Sequence, residues 1–160
     1  MPRTENVELA VLCLVHDKDS YLLQDRVKED RKGLYPPGGH VEPGESIVDA
    51  VIREMKEETG LTVINPKLCG IKQFPIENGR YLVFLFQTDQ FEDGIVSSEE
   101  GQMRWIKKKD LSGFISFKKP KQFCLLLDVE IPIRHPHFLH WDKISKVYSD
   151  KVLSFFPCPV

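Results

Sequence analysis

Gly39-His40-Val41-Glu42-Pro43-Gly44-Glu45-Ser46-Ile47-Val48-Asp49-Ala50-Val51-Ile52-Arg53-Glu54-Met55-Lys56-Glu57-Glu58-Thr59-Gly60-Leu61 holds both the clearest helical pattern in this chain and its densest run of acids. Pro43-Gly44-Glu45-Ser46 is a helix start signal, and Gly60 is a C-terminal stop. Between them Val48, Val51, Ile52 and Met55 recur at helical spacing and predict a single apolar face. On a wheel of ~100° per residue, Glu54, Glu57 and Glu58 fall on a flank roughly 115° from that face, with Asp49, Arg53 and Lys56 on the other.

That arrangement is unfavourable on its own. Glu54 and Glu58 are like charges at i, i+4, which costs a helix about 0.2–0.5 kcal/mol. All three glutamates also crowd toward the negative end of the helix dipole, where cations are preferred. A bound cation reverses both penalties, and three carboxylates suit a hard ion such as Mg²⁺ or Mn²⁺. The plain alternative is a solvated acidic face, which an isolated E-x-x-E-E would favour.

Outward from the helix the pattern turns to strands. Val7 to Val15 reads as a buried strand, Asp17-Lys18-Asp19-Ser20 as a turn, and Tyr21 to Asp25 as its partner. Leu34-Tyr35-Pro36-Pro37-Gly38-Gly39 reads as a loop, because prolines remove the donors a central strand needs. Downstream, Leu61 to Ile64 and Leu68 to Phe74 are expected strands, and Glu77-Asn78-Gly79 is a hairpin turn with positive φ on Asn-Gly. Tyr81 to Thr88 and Met103 to Lys107 are further strands. Pro120 to Asp128 and Phe138 to Phe156 are expected helices, the latter from Trp141, Ile144, Val147, Tyr148 and Val152. Strands on both sides of a central helix predict a mixed α/β domain with a sheet between helices.

At 160 residues the chain is long enough for one domain with a real core. With 41% hydrophobic and 29% charged residues it has ordinary globular usage. A net charge of −2 provides no basic footprint for stable nucleic-acid binding, and Lys107-Lys108-Lys109 and Lys118-Lys119 are short enough to be solvated. Cys13, Cys69, Cys124 and Cys158 stand far apart without a C-x-x-C pair, so they read as idle thiols in a reducing compartment. The apolar run Leu9 to Val15 is too short to span a bilayer and lacks a cleavage site, which places the protein in the cytoplasm, away from membranes.

The quoted stretch resembles the Nudix box, G-x5-E-x7-R-E-U-x-E-E-x-G-U with U a bulky aliphatic residue, and fills every specified position. A looser likeness to the MutT-like, 8-oxo-dGTP diphosphatase-type branch runs from about Val7 to about Asp128. The resemblance implies an α/β/α sandwich with a mixed sheet and a loop–helix–loop catalytic motif over residues 1–130, leaving 131–160 as a helical extension packed on the same domain, whether as cover, lid or dimer contact. It also implies a Mg²⁺-dependent (or Mn²⁺-dependent) hydrolase of phosphoric anhydride bonds in nucleotides, monomeric or homodimeric. Glu54, Glu57 and Glu58 match the family's metal-coordinating acids, and Gly38 matches the residue whose backbone carbonyl joins them. Glu100 matches a loop glutamate that completes the metal site or positions the attacking water. Glu45 and Arg53 look structural: Arg53 pairs with Asp49 at i, i+4, reaches Glu57, and orients a metal-binding carboxylate. Arg26 matches an arginine that contacts substrate phosphate. Gly39 joins it at the substrate, as do Phe74 and Tyr81 if they stack on a base and do not simply fill the core.

The mechanism implied is attack of water on phosphorus, with Glu54, Glu58 or Glu100 taking the proton and Glu54 the first choice. The expected substrate is 8-oxo-dGTP or another nucleoside triphosphate, cleaved to monophosphate and pyrophosphate. Two departures bear on this. The bacterial MutT type has a base-reading asparagine before its last helix, where this chain has Phe117-Lys118-Lys119-Pro120, and Pro36-Pro37 stands where an aromatic commonly precedes a single proline. Competing readings are a hydrolase of a nucleoside diphosphate sugar or dinucleotide, and a non-catalytic nucleotide sensor, against which every metal acid is present. Isopentenyl diphosphate isomerase shares the fold but needs a cysteine in another context.

Overall fold

The computed structural model describes residues 3–26, 33–96 and 101–111, together with the backbone of 151–155. Strands β1 (Val7–Asp17), β2 (Ser20–Arg26) and β3 (Gly33–Tyr35) precede helix α1 (Ile47–Thr59). After it come β4 (Thr62–Val63), β5 (Lys67–Ile76), β6 (Gly79–Thr88), β7 (Phe91–Glu92), β8 (Gly101–Lys107) and β9 (Lys151–Phe155).

The main sheet runs β3-β2-β1-β6-β5-β9, with β8 on the other side of β2. It is mixed, since β1 and β6 are parallel from Val7↔Arg80 to Val15↔Thr88 while the other pairs are antiparallel. Burial on both faces explains why β1 reads as a nearly continuous apolar run. Val11, Cys13 and Val15 join Leu22, Phe86 and Met103 beneath α1. The alternate residues Ala10, Leu12 and Leu14 serve clusters on the opposite face. A smaller sheet pairs β4 with β7.

Helix α1 has the predicted ends. Ser46 accepts the Asp49 N–H at 3.1 Å as N-cap. Gly60, at φ +77°, returns its N–H to the Lys56 carbonyl at 3.0 Å. The buried stripe differs from the predicted one: Ala50, Val51, Met55 and Thr59 are covered, whereas Val48 is 44% exposed. Ala50 is fully buried in the cluster with Val11, Cys13 and Val15 of β1, so the stripe runs through Ala50, Val51, Met55 and Thr59, and Val48 lies outside it.

Three further expectations are corrected. Leu34 and Tyr35 belong to β3, a short edge strand on β2. Glu77 and Asn78 do form a two-residue hairpin turn, but the positive φ is on Gly79 (+153°), where a Cβ would collide with the Asn6 carbonyl. Residues 151–155 pair antiparallel with β5 and are therefore strand where a helix was expected, because the free edge of β5 supplies backbone partners that the apolar spacing does not reveal. The rest of the 138–156 helix, and the helix expected over 120–128, lie outside the described residues.

Candidate active site

Arg53 gathers the acids of α1. Its Nε donates to Glu45 Oε1 at 2.8 Å and its Nη2 to Glu45 Oε2 at 2.9 Å, a two-pronged pair. Nη1 donates to Glu54 Oε1 at 2.9 Å and Glu57 Oε2 at 3.1 Å, and Nη2 also reaches the His40 carbonyl at 3.0 Å. Arg53 therefore shares the glutamate flank. The expected Asp49 partner is occupied at the N-cap, accepting from Ser46 Oγ at 2.7 Å. Glu45 also accepts the Glu42 N–H at 3.0 Å, tying the incoming loop to the helix. The Arg53 hydrogen bonds, and after them the Glu42 N–H, draw the Glu45 carboxyl down to about 2. The same pairing pushes Arg53 above its ordinary value.

The Gly-Gly pair faces this edge from β1. Gly38, at φ +143°, has no room for a side chain, since a Cβ would stand 2.2 Å from the Val11 carbonyl oxygen. Its N–H donates to Glu58 Oε2 at 2.8 Å. A Cβ on Gly39 would stand 2.4 Å from Glu54 Oε2, so the Glu54 carboxylate rests against that backbone. The Pro37 and Gly39 carbonyls accept from Cys13 and Val11 of β1 at 3.0 and 2.8 Å. With Pro37 and Gly39 bonded to β1, Gly38 between them turns its N–H away from β1, to Glu58.

The glutamates on this edge offer oxygen donors, which fits a hard divalent cation. Glu45, Glu54 and Glu57 share one guanidinium, so negative charge exceeds positive. Glu54 is largely covered, with 13% of its side chain exposed, while Glu57 is 60% exposed and able to change partners. Among the described residues, no three acidic, histidine or cysteine side chains already converge on one ion-sized point.

The remaining expected residues are more scattered. Arg26 ends β2, with its guanidinium 5.5 Å from the centre of the Tyr35 ring. Phe74 and Tyr81 pair across β5 and β6 with rings stacked at 5.0 Å, and they pack against Ala10, Cys69, Val83 and Leu85 on the sheet face opposite α1. Glu100 lies outside the described residues, as does the Phe117–Pro120 stretch. His40 was missed, because the box leaves its position unspecified. Its Nε2 lies 3.0 Å from the Tyr81 hydroxyl while its carbonyl holds Arg53, so it bridges the aromatic pair and the acidic edge. Gln24, beside Arg26, gave no sequence signal either.

The chain is similar in sequence and fold to known proteins. A Nudix hydrolase of Bacillus subtilis, YvcI, itself uncharacterised, is 40% identical over 106 residues, or 62% of this chain and 65% of that one. The NAD-capped RNA hydrolase NudC of Mycobacterium tuberculosis is 31% identical over 112 residues, 66% of this chain but 34% of its own length. The chain thus spans less than two thirds of these relatives. Among solved structures, a mutator MutT protein from Bacillus halodurans superposes with a TM-score of 0.63 at 34% identity, covering 74% of this chain and 82% of that one, and shares the α/β/α sandwich fold. The model of the NUDIX domain matches residues 7–126, and with it the chain is placed in the Nudix hydrolase family.

Proposed function

We propose that this chain hydrolyses the phosphoric anhydride of a nucleoside triphosphate, 8-oxo-dGTP or another dNTP, to the monophosphate and pyrophosphate. The observation that carries it is the acidic edge of α1, with Glu54 against Gly39, Glu58 on the Gly38 N–H and Glu57 on Arg53. Glu54, Glu57, Glu58 and the Gly38 carbonyl would hold the divalent cation, with Glu100 completing the set. Bound there, Mg²⁺ supplies positive charge to the phosphate oxygens and the leaving pyrophosphate.

The chain's own groups do the rest. Arg53 fixes the Glu54 carboxylate through Oε1, and Glu54, ahead of Glu58 or Glu100, accepts the proton of the attacking water. Arg26 binds phosphate oxygens, the Gly39 backbone borders the reacting phosphate, and Phe74 with Tyr81 offers a stacking surface for the base. The buried thiols and the lack of any membrane-length helix among the described residues suit a cytoplasmic enzyme, monomeric or dimeric.

The NAD-capped RNA hydrolases among the relatives favour a second reading, cleavage of a dinucleotide pyrophosphate such as NAD. A release assay in Mg²⁺ over dNTPs, 8-oxo-dGTP, NAD and a nucleoside diphosphate sugar, scoring pyrophosphate, phosphate and monophosphate, separates them. Pyrophosphate from a triphosphate supports the first reading and NMN plus AMP from NAD the second. No release from any substrate would leave the nucleotide-sensor reading.

A further inference from the structure

Gln24 is fully buried on β2, and its Oε1 accepts from Arg26 Nε at 2.7 Å. Because Nε–H can only donate, this bond fixes which way the amide points. The Gln24 Nε2 is then left buried without a partner among the described residues. A buried, unsatisfied amide is destabilising, and an apolar side chain would fill the slot better if packing were its only task.

The surroundings show what the amide holds. Gln24 is flanked in register by Tyr35 of β3 and Met103 of β8. Gly101 lets β8 approach, since a Cβ there would lie 3.2 Å from Gln24 Cγ and 2.5 Å from the Asp25 carbonyl. Arg26 is thereby held from two directions, its Nε by Gln24 and its planar face by Tyr35. With Nε engaged, the edge formed by Nη1 and Nη2 remains, a fork suited to two phosphate oxygens. Its location is relevant: Tyr35 runs through Pro36-Pro37 into Gly38, and Arg26 pairs in register with Gly101, the residue after Glu100.

We propose that Gln24 is a positioning residue that aims the Arg26 fork at the phosphate chain of the nucleotide. A neutral amide does this without cancelling the guanidinium charge, as a carboxylate would. The inference rests on the reading of Arg26 as the phosphate-binding group.

The test is steady-state kinetics of dGTP hydrolysis in Mg²⁺, with inorganic pyrophosphate as product inhibitor, for wild type, Gln24→Met, Gln24→Leu, Arg26→Ala, Arg26→Lys and the double variant Gln24→Met/Arg26→Ala. Gln24→Met should raise KM and the pyrophosphate inhibition constant about tenfold with kcat nearly unchanged. In the Arg26→Ala background it should change them less than about twofold. Gln24→Leu, apolar and of similar size, should behave as Gln24→Met and keeps the idea testable if Gln24→Met folds poorly, while Arg26→Lys, which loses the Nε–H and the two-pronged fork alike, marks the loss expected when the fork is gone. An unchanged KM in Gln24→Met or in Gln24→Leu, with Arg26→Ala impaired, overturns the positioning role alone. An unimpaired Arg26→Ala overturns the underlying phosphate-binding reading as well, and a wild type inert toward dGTP and every other nucleoside triphosphate overturns the triphosphate reading itself.

Discussion

The Gly38 N–H donates to Glu58 Oε2 at 2.8 Å, joining the run beside β1 to the last turn of α1 across 20 residues of sequence. The two glycines of this run have different reasons for lacking a side chain. At Gly38 the obstacle is the Val11 carbonyl of β1 and a positive φ, whereas at Gly39 it is the end of the flexible Glu54 side chain. Gly38→Ala should therefore lose at least about 1–3 kcal/mol of stability from backbone strain alone, a drop of several degrees in Tm for a chain this size. Gly39→Ala should melt within a few degrees of wild type yet lose most of its turnover, because Glu54 must move. Thermal melts run beside the release assay check both, and a fully active Gly39→Ala would show that the Glu54 position is unimportant.

Glu57→Gln separates charge from fold. Its side chain is 60% exposed and its i, i+4 bond to Arg53 is worth about 0.3–0.5 kcal/mol, so the melt should hardly change. Turnover in saturating substrate should fall on the order of a thousandfold, as expected for a group that helps hold the catalytic charge. Activity within twofold of wild type would remove Glu57 from the metal set.

Glu45 gives a pH dependence with a defined sign. Its folded-state carboxyl titrates at about 2, against an ordinary 4.5, chiefly because of Arg53. The unfolded chain therefore binds this proton more readily, so the pair's contribution is fully present above about 4.5 and is lost as pH falls toward about 2. Wild type should be more stable than Glu45→Gln at neutral pH, with the gap closing across that window. Urea melts at intervals from pH 6 to pH 2 measure it, and a gap that stayed constant to pH 2 would contradict the pairing.

How far the sequence predicted these features depended on whether they were local or long-range. The caps of α1 were legible because Ser46 and Gly60 act on their own helix. The acids were legible because helical spacing alone puts Glu54, Glu57 and Glu58 together. Arg53 was assigned the wrong first partner, since Asp49 at i−4 is a local candidate while Glu45 reaches it only after the incoming loop folds back. His40 and Gln24 were invisible for the same reason: their partners, Tyr81 and a buried slot between β3 and β8, are brought together by the sheet. β9 was misread because apolar residues in a short segment fit helix and strand alike until a free edge selects one.

The two thiols among the described residues should be inert. Cys13 is fully buried, and that burial, with Cys69 nearby, pushes its thiol up to about 12. Cys69 is also buried, with its Sγ 3.2 Å from the Leu85 carbonyl. Native protein treated with a thiol-specific reagent at pH 8, digested and mapped, should show neither residue labelled until denaturant is added. Rapid native labelling of Cys13 would mean that the sheet opens far more often than its packing implies.

Cation binding should appear in stability before any chemistry is measured. Glu45, Glu54 and Glu57 share one guanidinium, so an ion at this edge binds the folded state and not the unfolded chain, where these carboxylates are dispersed. At a hundred times its dissociation constant such a ligand adds about 2.7 kcal/mol, which at this size raises Tm by roughly 5–10 °C. Mg²⁺ should produce that rise in wild type, a much smaller one in Glu57→Gln, and none in a Glu54→Gln/Glu58→Gln double variant, whereas equal ionic strength as NaCl should not reproduce it. An identical rise in all three proteins would place the ion elsewhere on the surface and take away the basis for reading this edge as catalytic.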